Sequence, residues 1–274
     1  MIIIILITFI IGFLSAFVGS LVGLGGGLIF VPSMLFLYDN VSSFSWATPQ
    51  TIVGISLITM IFTGLSSTMA YYKLRRVDVK TGTIFLVGSL PGSIVGTWIN
   101  SRLDANEFTI YFGILMFIIF LIMFIDRDKM MKNKTFIHNE NTRMFKLEGQ
   151  EYFYNVTMTP ALVLSFFIGA LSGLFGIGGG TISVPTMILI FGMPVQIAIG
   201  TSMYMILFIS LISASTHIYF GHIVWKHVFF FIVGSYIGGT VGAKVSKYLK
   251  GRTLEYFLRV VIFVAAIQLI IKGL

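Results

Sequence analysis

The chain has 274 residues, 57% of them hydrophobic and 10% charged, with a formal net charge of +8 and no cysteine. Soluble domains carry about 25% charged residues, so this chain has too little polar side chain to cover a water-facing surface. The missing thiols exclude disulfides, thiolate metal sites and cysteine redox chemistry, and no basic folded domain is present that would bind nucleic acid.

The first apolar block, Ile2–Val22, lacks the basic start of a signal peptide and has a counterpart deep in the chain, so it reads as mature structure. It runs into Gly23-Leu24-Gly25-Gly26-Gly27, which closes on Val31-Pro32. Apolar blocks at Trp46–Tyr72, Gly82–Ile99 and Phe108–Ile125 follow, completing a first membrane repeat over 1–125. Each can cross a bilayer as helix, which takes roughly 20 residues, and none shows the short alternating pattern of a membrane β-barrel. Residues 126–156 are polar and carry Arg127, Lys129, Lys132, Lys134, Arg143 and Lys146. The excess of positive charge predicts a cytoplasmic linker, read as solvated. The second membrane repeat, 157–274, contains Gly176-Ile177-Gly178-Gly179-Gly180 with Val184-Pro185, then blocks at Val195–Phe220, Val228–Ala243 and Leu254–Ile271.

The two glycine tracts are one sign of duplication, and the correspondence continues downstream. Gln50, Gly54 and Ser56 match Gln196, Gly200 and Ser202 in spacing, and Lys80 matches Lys226. Gly88-Ser89, Gly92 and Gly96 match Gly234-Ser235, Gly238 and Gly242. Two homologous halves of about four helical segments each are therefore expected, in an all-α integral membrane protein. As one helix, the stretch from Pro160 to Gly192 would reach on the order of 50 Å, against a hydrocarbon core of about 30 Å. A hairpin broken at the glycines fits better, so each half is expected to open with a re-entrant helix pair. Three further crossings per half then invert the halves, which puts Lys73, Arg75, Arg76, Lys244, Lys247, Lys250 and Arg252 together in the cytoplasm. A parallel arrangement, in which each glycine segment crosses once, stays open.

Helices broken in the membrane interior line substrate cavities in transporters, and a helix start aims unpaired N–H groups and a positive dipole end at an anion. The expected substrate-binding residues are Gly25, Gly26, Gly27, Gly178, Gly179 and Gly180, joined by the hydroxyl and amide groups of Gln50, Ser56, Gln196, Thr201 and Ser202. His217 lies well inside an apolar stretch and is the candidate for a coupling role. Thr48 is a further polar neighbour. The competing readings are close helix packing for the glycines, interhelical hydrogen bonds for the polar groups, and a satisfied interfacial residue for His217. No catalytic residue and no metal ligand set is expected. Gly54-Ile55-Ser56 repeats Gly200-Thr201-Ser202 without a histidine after it, and the glycine tracts lack the Lys-Ser/Thr ending of a nucleotide-binding loop.

Gly-x-Gly-Gly-Gly followed by Val-Pro, present at Gly23–Pro32 and again at Gly176–Pro185, resembles the TauE/SafE family, the sulfite exporter or toluene sulfonate uptake permeases. The resemblance implies a multi-pass protein of the inner (plasma) membrane with two duplicated modules. It further implies transport of sulfite, organosulfonates or related sulfur-containing and carboxylate anions. The expected function is thus secondary transport of a small anion, without enzymatic activity or cofactor. An anion channel and a non-transporting membrane scaffold are the alternatives. The expected partners are the anion and the lipid bilayer, with no nucleic acid, and a second copy of the chain remains a candidate.

Overall fold

A computed structural model describes residues 2–122, 142–147 and 149–248, together with Phe263 and Ile267. The apolar blocks are helices because backbone in lipid must pair its N–H and C=O groups within its own segment. In chain order these are α1 (Ile2–Val22), α2 (Gly27–Asn40), α3 (Pro49–Lys73), α4 (Val79–Asn100) and α5 (Ala105–Ile122). Two strands follow, β1 (Thr142–Leu147) and β2 (Gln150–Asn155), then α6 (Met158–Phe175), α7 (Gly180–Leu189), α8 (Val195–Tyr219) and α9 (Val228–Val245). Among the described residues seven helices are long and apolar enough to cross a membrane, whereas α2 and α7 are not. Large apolar side chains such as Leu6, Val87, Trp98, Phe167 and Tyr236 point outward, as a lipid-facing surface requires. The expected block Leu254–Ile271 lies largely outside the described residues.

Glycine decides which helices meet. In α4 and α9 it recurs every fourth residue, so it lines one helix face and lets a neighbouring backbone approach. A Cβ on Gly92 would stand 2.0 Å from the Phe166 carbonyl oxygen, and one on Gly96 1.9 Å from that of Ala170. On α9, Gly238 and Gly242 are equally tight against the Phe13 and Phe17 carbonyls of α1. The contacts advance together along both chains, so α4 with α6 and α1 with α9 form parallel pairs. The central pair, α3 and α8, runs antiparallel: Gly54 faces His217, Gly64 faces Leu207 and Gly200 faces Arg76.

The central segment departs from a solvated linker. Thr142–Leu147 and Gln150–Asn155 pair as an antiparallel hairpin, with Thr142 opposite Asn155 and Leu147 opposite Gln150. One face is apolar and buried: Leu147, Tyr154 and Val156 pack in a core with Phe85, Ala161, Met187 and Ile197. Its anchor is Asp78, which caps α4 by accepting from the Thr81 N–H at 3.1 Å and the Thr81 hydroxyl at 2.5 Å. The Tyr154 hydroxyl donates to the same carboxylate at 2.5 Å, and the Asp78 N–H donates to Thr201 Oγ1 at 2.9 Å. One buried carboxylate thus ties the hairpin to α4, while its own backbone ties α4 to α8. The remaining residues of the expected linker lie outside the described ones.

Two expectations follow from this packing. Gly92→Ala forces a methyl onto the Phe166 carbonyl and should lower stability by about 1–3 kcal/mol, read as a lower thermal midpoint in detergent. Burial and then the Asp78 carboxylate hold the Tyr154 phenol protonated well above its ordinary range. A raised acid contributes fully below the unfolded value of about 10 and loses that contribution as pH rises beyond it. Proteolysis of the hairpin should therefore accelerate above about pH 10, and Tyr154→Phe should remove that component and weaken docking by about 1 kcal/mol at neutral pH.

Candidate substrate site at the crossed helix breaks

Each glycine tract ends one helix and starts the next in backbone that only glycine adopts without strain. Gly25 and Gly26 have φ of 86° and 104°, Gly178 and Gly179 of 70° and 71°, a left-handed region closed to most L-residues. The chain doubles back there, so that Gly26 lies against the Ser15 carbonyl and Gly179 against Ile168. Gly26 and Gly179 are the N-caps of α2 and α7, and neither start is capped by a side chain.

Both breaks are buried and lie against one another. A Cβ on Gly27 would stand 2.1 Å from the Gly176 carbonyl oxygen, and one on Gly180 2.4 Å from that of Gly23. Gly25 packs on Ile206, and Gly178 on Met60 and Ile206. The carbonyls exposed by the breaks are satisfied crosswise. Ser56 of α3 donates to the Gly176 oxygen at 2.7 Å, and Ser202 of α8 donates to the Gly23 oxygen. One turn back, the Tyr71 hydroxyl donates to the Ser20 oxygen at 2.8 Å, and His217 Nε2 lies 3.2 Å from the Gly173 oxygen.

The expected site residues therefore separate into two groups. Gly25, Gly26, Gly27, Gly178, Gly179 and Gly180 converge, with Ser56 and Ser202 beside them, although both serines spend their protons on backbone. Gln50 lies elsewhere, its amide donating to the Leu103 carbonyl at 2.8 Å beyond the end of α4. Gln196 is exposed at the start of α8, and Thr201 accepts from Asp78. Thr48 caps α3 through the Thr51 N–H. His217 is fully buried and also bonds to His222, Nδ1 to Nδ1 at 2.9 Å.

Several buried hydroxyls not singled out from sequence lie on the helices that form the breaks or pack against them. Ser15 on α1, Ser172 on α6, Thr181 in the first turn of α7, and Ser210 and Ser213 on α8 are buried and make no hydrogen bond within the protein. A buried hydroxyl without a partner costs about 1–3 kcal/mol, and Thr181 leaves one such donor in the first turn after an uncapped helix start. Their sequence signal is weak, because serine inside a membrane helix ordinarily bonds back to its own helix. By contrast, the groove among Val87, Gly88, Leu162, Val163, Phe166 and Phe167 is apolar and offers an anion nothing.

Removing a crosswise donor should uncover a buried carbonyl. Ser56→Ala and Ser202→Ala should each lower stability by about 1–3 kcal/mol, measured as the thermal midpoint of purified protein in detergent.

Comparison with known proteins identifies the family. Residues 8–269 match the family described as Sulfite exporter TauE/SafE. The chain is 38% identical over 266 residues to the probable membrane transporter protein YunE of Bacillus subtilis, covering 97% of each chain. It is 27% identical over 239 residues to a probable membrane transporter protein of Xylella fastidiosa, covering 87% of this chain and 83% of that one. The probable membrane transporter protein YdhB of Bacillus subtilis is 26% identical over 244 residues, 89% of each. No solved structure matches. With the paired glycine tracts, seven apolar spans and a family match over nearly its whole length, the chain belongs to the sulfite exporter TauE/SafE family and is a multi-pass membrane transporter, not an enzyme.

Proposed function

We propose that the protein moves a small oxyanion (sulfite, an organosulfonate or a related sulfur-containing or carboxylate anion) across the inner membrane by secondary transport. The observation that carries this reading is the pair of uncapped, buried helix starts at Gly27 and Gly180 with the unpartnered hydroxyl of Thr181 beside them. Two positive dipole ends and a hydroxyl donor attract an anion without the cost of a buried Lys or Arg. Ser15, beside Gly26, supplies a second hydroxyl.

The same reading takes the chain as two inverted repeats, 1–125 and 157–274, joined by a cytoplasmic segment. Three features support it. The pairs α1 with α9 and α4 with α6 are reciprocal between the halves; the serine bonds cross reciprocally; and the corresponding helices α3 and α8 run antiparallel. Lys73, Arg75, Arg76, Lys80, Arg143, Lys146, Lys244 and Lys247 belong to the end that carries the hairpin, and that excess of positive charge supports a cytoplasmic position for it. Rocking of one half against the other would expose the crossed breaks to each side in turn.

The test is uptake of radiolabelled sulfite and of a small organosulfonate into liposomes containing the purified protein. Saturable uptake is expected, abolished by Gly27→Ala and by Gly180→Ala. Thr181→Val should weaken apparent affinity about tenfold, the loss of one hydrogen bond to a charged group. Absence of flux above empty liposomes for every small anion tried would sink the transport mechanism as framed.

A further inference from the structure

The described residues hold one pair of imidazoles in direct contact, His217 and His222, and their hydrogen bonds fix where the protons sit. The Gly173 oxygen only accepts, so His217 Nε2, 3.2 Å away, carries a hydrogen. In the neutral ring the other nitrogen is then bare. His217 Nδ1 therefore accepts, and His222 Nδ1, 2.9 Å away, donates to it. This leaves His222 Nε2 bare, on a half-buried ring in the connection between α8 and α9 at the end opposite the hairpin. The resting arrangement is a one-way chain: His222 donates to His217, which donates to the last turn of α6.

Such a chain takes up one proton without any ring turning over. A proton arriving at His222 Nε2 releases the Nδ1 proton to His217 Nδ1. His217 then holds hydrogens on both nitrogens and one positive charge, while His222 is neutral again and accepts through Nδ1. The charge arrives beside the C-terminal carbonyls of α6, the negative end of that helix, which favours a cation. Charged groups at this end include Arg102, Asp104 and Glu107 of the α4–α5 turn, which Gln50 and Asn100 join to the start of α3 and the end of α6; Arg102 lies over Trp98, and Asp104 and Glu107 accept from each other's backbone N–H. The first two turns of α3, including Gly54 against His217, and the last turn of α6 carry no ionisable side chain. Lys226 and His227 lie further along the connection, with His227 stacked on Trp46 at 4.1 Å between ring centroids. Burial holds His222, at the outer end of the chain, below the ordinary imidazole range, which favours its neutral form.

The first half has no such chain. Tyr71 stands fifteen residues after Ser56, as His217 stands fifteen after Ser202, and it holds the Ser20 carbonyl as His217 holds that of Gly173. A phenol ionises only near about pH 10, so a titratable donor supports one break alone. We propose that the His217–His222 pair is the proton-binding site that couples anion movement to a proton gradient, loaded from the face opposite the hairpin. This rests on the transport reading above and deepens it: Gly173 stands three residues before Gly176, whose carbonyl Ser56 holds against Gly27.

The test uses liposomes and a small organosulfonate, whose charge does not change with pH across the physiological range. For one proton per monovalent anion, each pH unit of gradient should raise the accumulation ratio about tenfold, with matching proton entry seen by a trapped pH dye. His217→Gln supplies an amide donor for Gly173 and an oxygen for His222, mimicking the neutral ring. It should retain anion exchange at equal pH and lose the gradient-driven accumulation. His222→Gln, at the half-buried member, should do the same and serves if His217→Gln does not fold. Undiminished proton-driven accumulation in a folded variant overturns the assignment. So does wild-type exchange that ignores the gradient, with the anion site left standing. No exchange in the wild type removes both together.

Discussion

Buried backbone that leaves helical geometry must find its hydrogen bonds elsewhere in the protein, and the rest of this structure is organised around two such places. At Gly23–Gly26 and Gly176–Gly179 the chain reverses, and carbonyls that a continuous helix would have used are exposed. The serine that satisfies each break stands on the other half, Ser56 for Gly176 and Ser202 for Gly23. Neither half can complete its own break. The crosswise bonds therefore hold the two parts of the chain together at the breaks themselves.

That arrangement depends on the close approach of the long helices. Glycines at four-residue spacing on α4 and α9 bring α6 and α1 to backbone contact, which holds the broken helices over the antiparallel core of α3 and α8. Between lipid and protein there is little hydrophobic gain from helix association, so contact at this range is a principal source of cohesion. Small residues thus serve two ends: at the breaks they permit the left-handed backbone, and along the stripes they permit proximity.

The hairpin end and the histidine end differ in chemistry. At the first, a buried carboxylate, Asp78, gathers a phenol, a hydroxyl and the start of α4, and its backbone N–H reaches α8. At the second, an imidazole pair holds the last turn of α6. Both ends brace the connection that follows a core helix against the start of the other core helix, Arg76 on Gly200 and Ile223 on Gly54. The geometry is shared and the titratable groups are not, so protonation would act on the two ends unequally.

Composition and apolar block length were enough to read a polytopic helical protein, since lipid leaves the backbone few choices. The first block, Ile2–Val22, coincides with α1, and the other blocks within the described residues agree with their helices to within about one turn. The glycine tracts were legible as breaks because three glycines disfavour helix wherever they stand. The hairpin was not, because Thr142–Asn155 has ordinary polar composition and its buried face exists only where the cluster around Phe85 and Ile197 receives it. Gln50 and Gln196 repeat in sequence as faithfully as Ser56 and Ser202 do, and yet only the serines reach the breaks. Spacing along a chain records that two residues are equivalent, and it carries nothing about which backbone each will meet. What the sequence determined by itself was the set of segments that must be helical and the points where they must break. Which serine meets which carbonyl, and which imidazole meets which, was decided by tertiary packing, because those partners lie between 44 and 179 residues apart, except for the imidazole pair itself, joined across a turn of five.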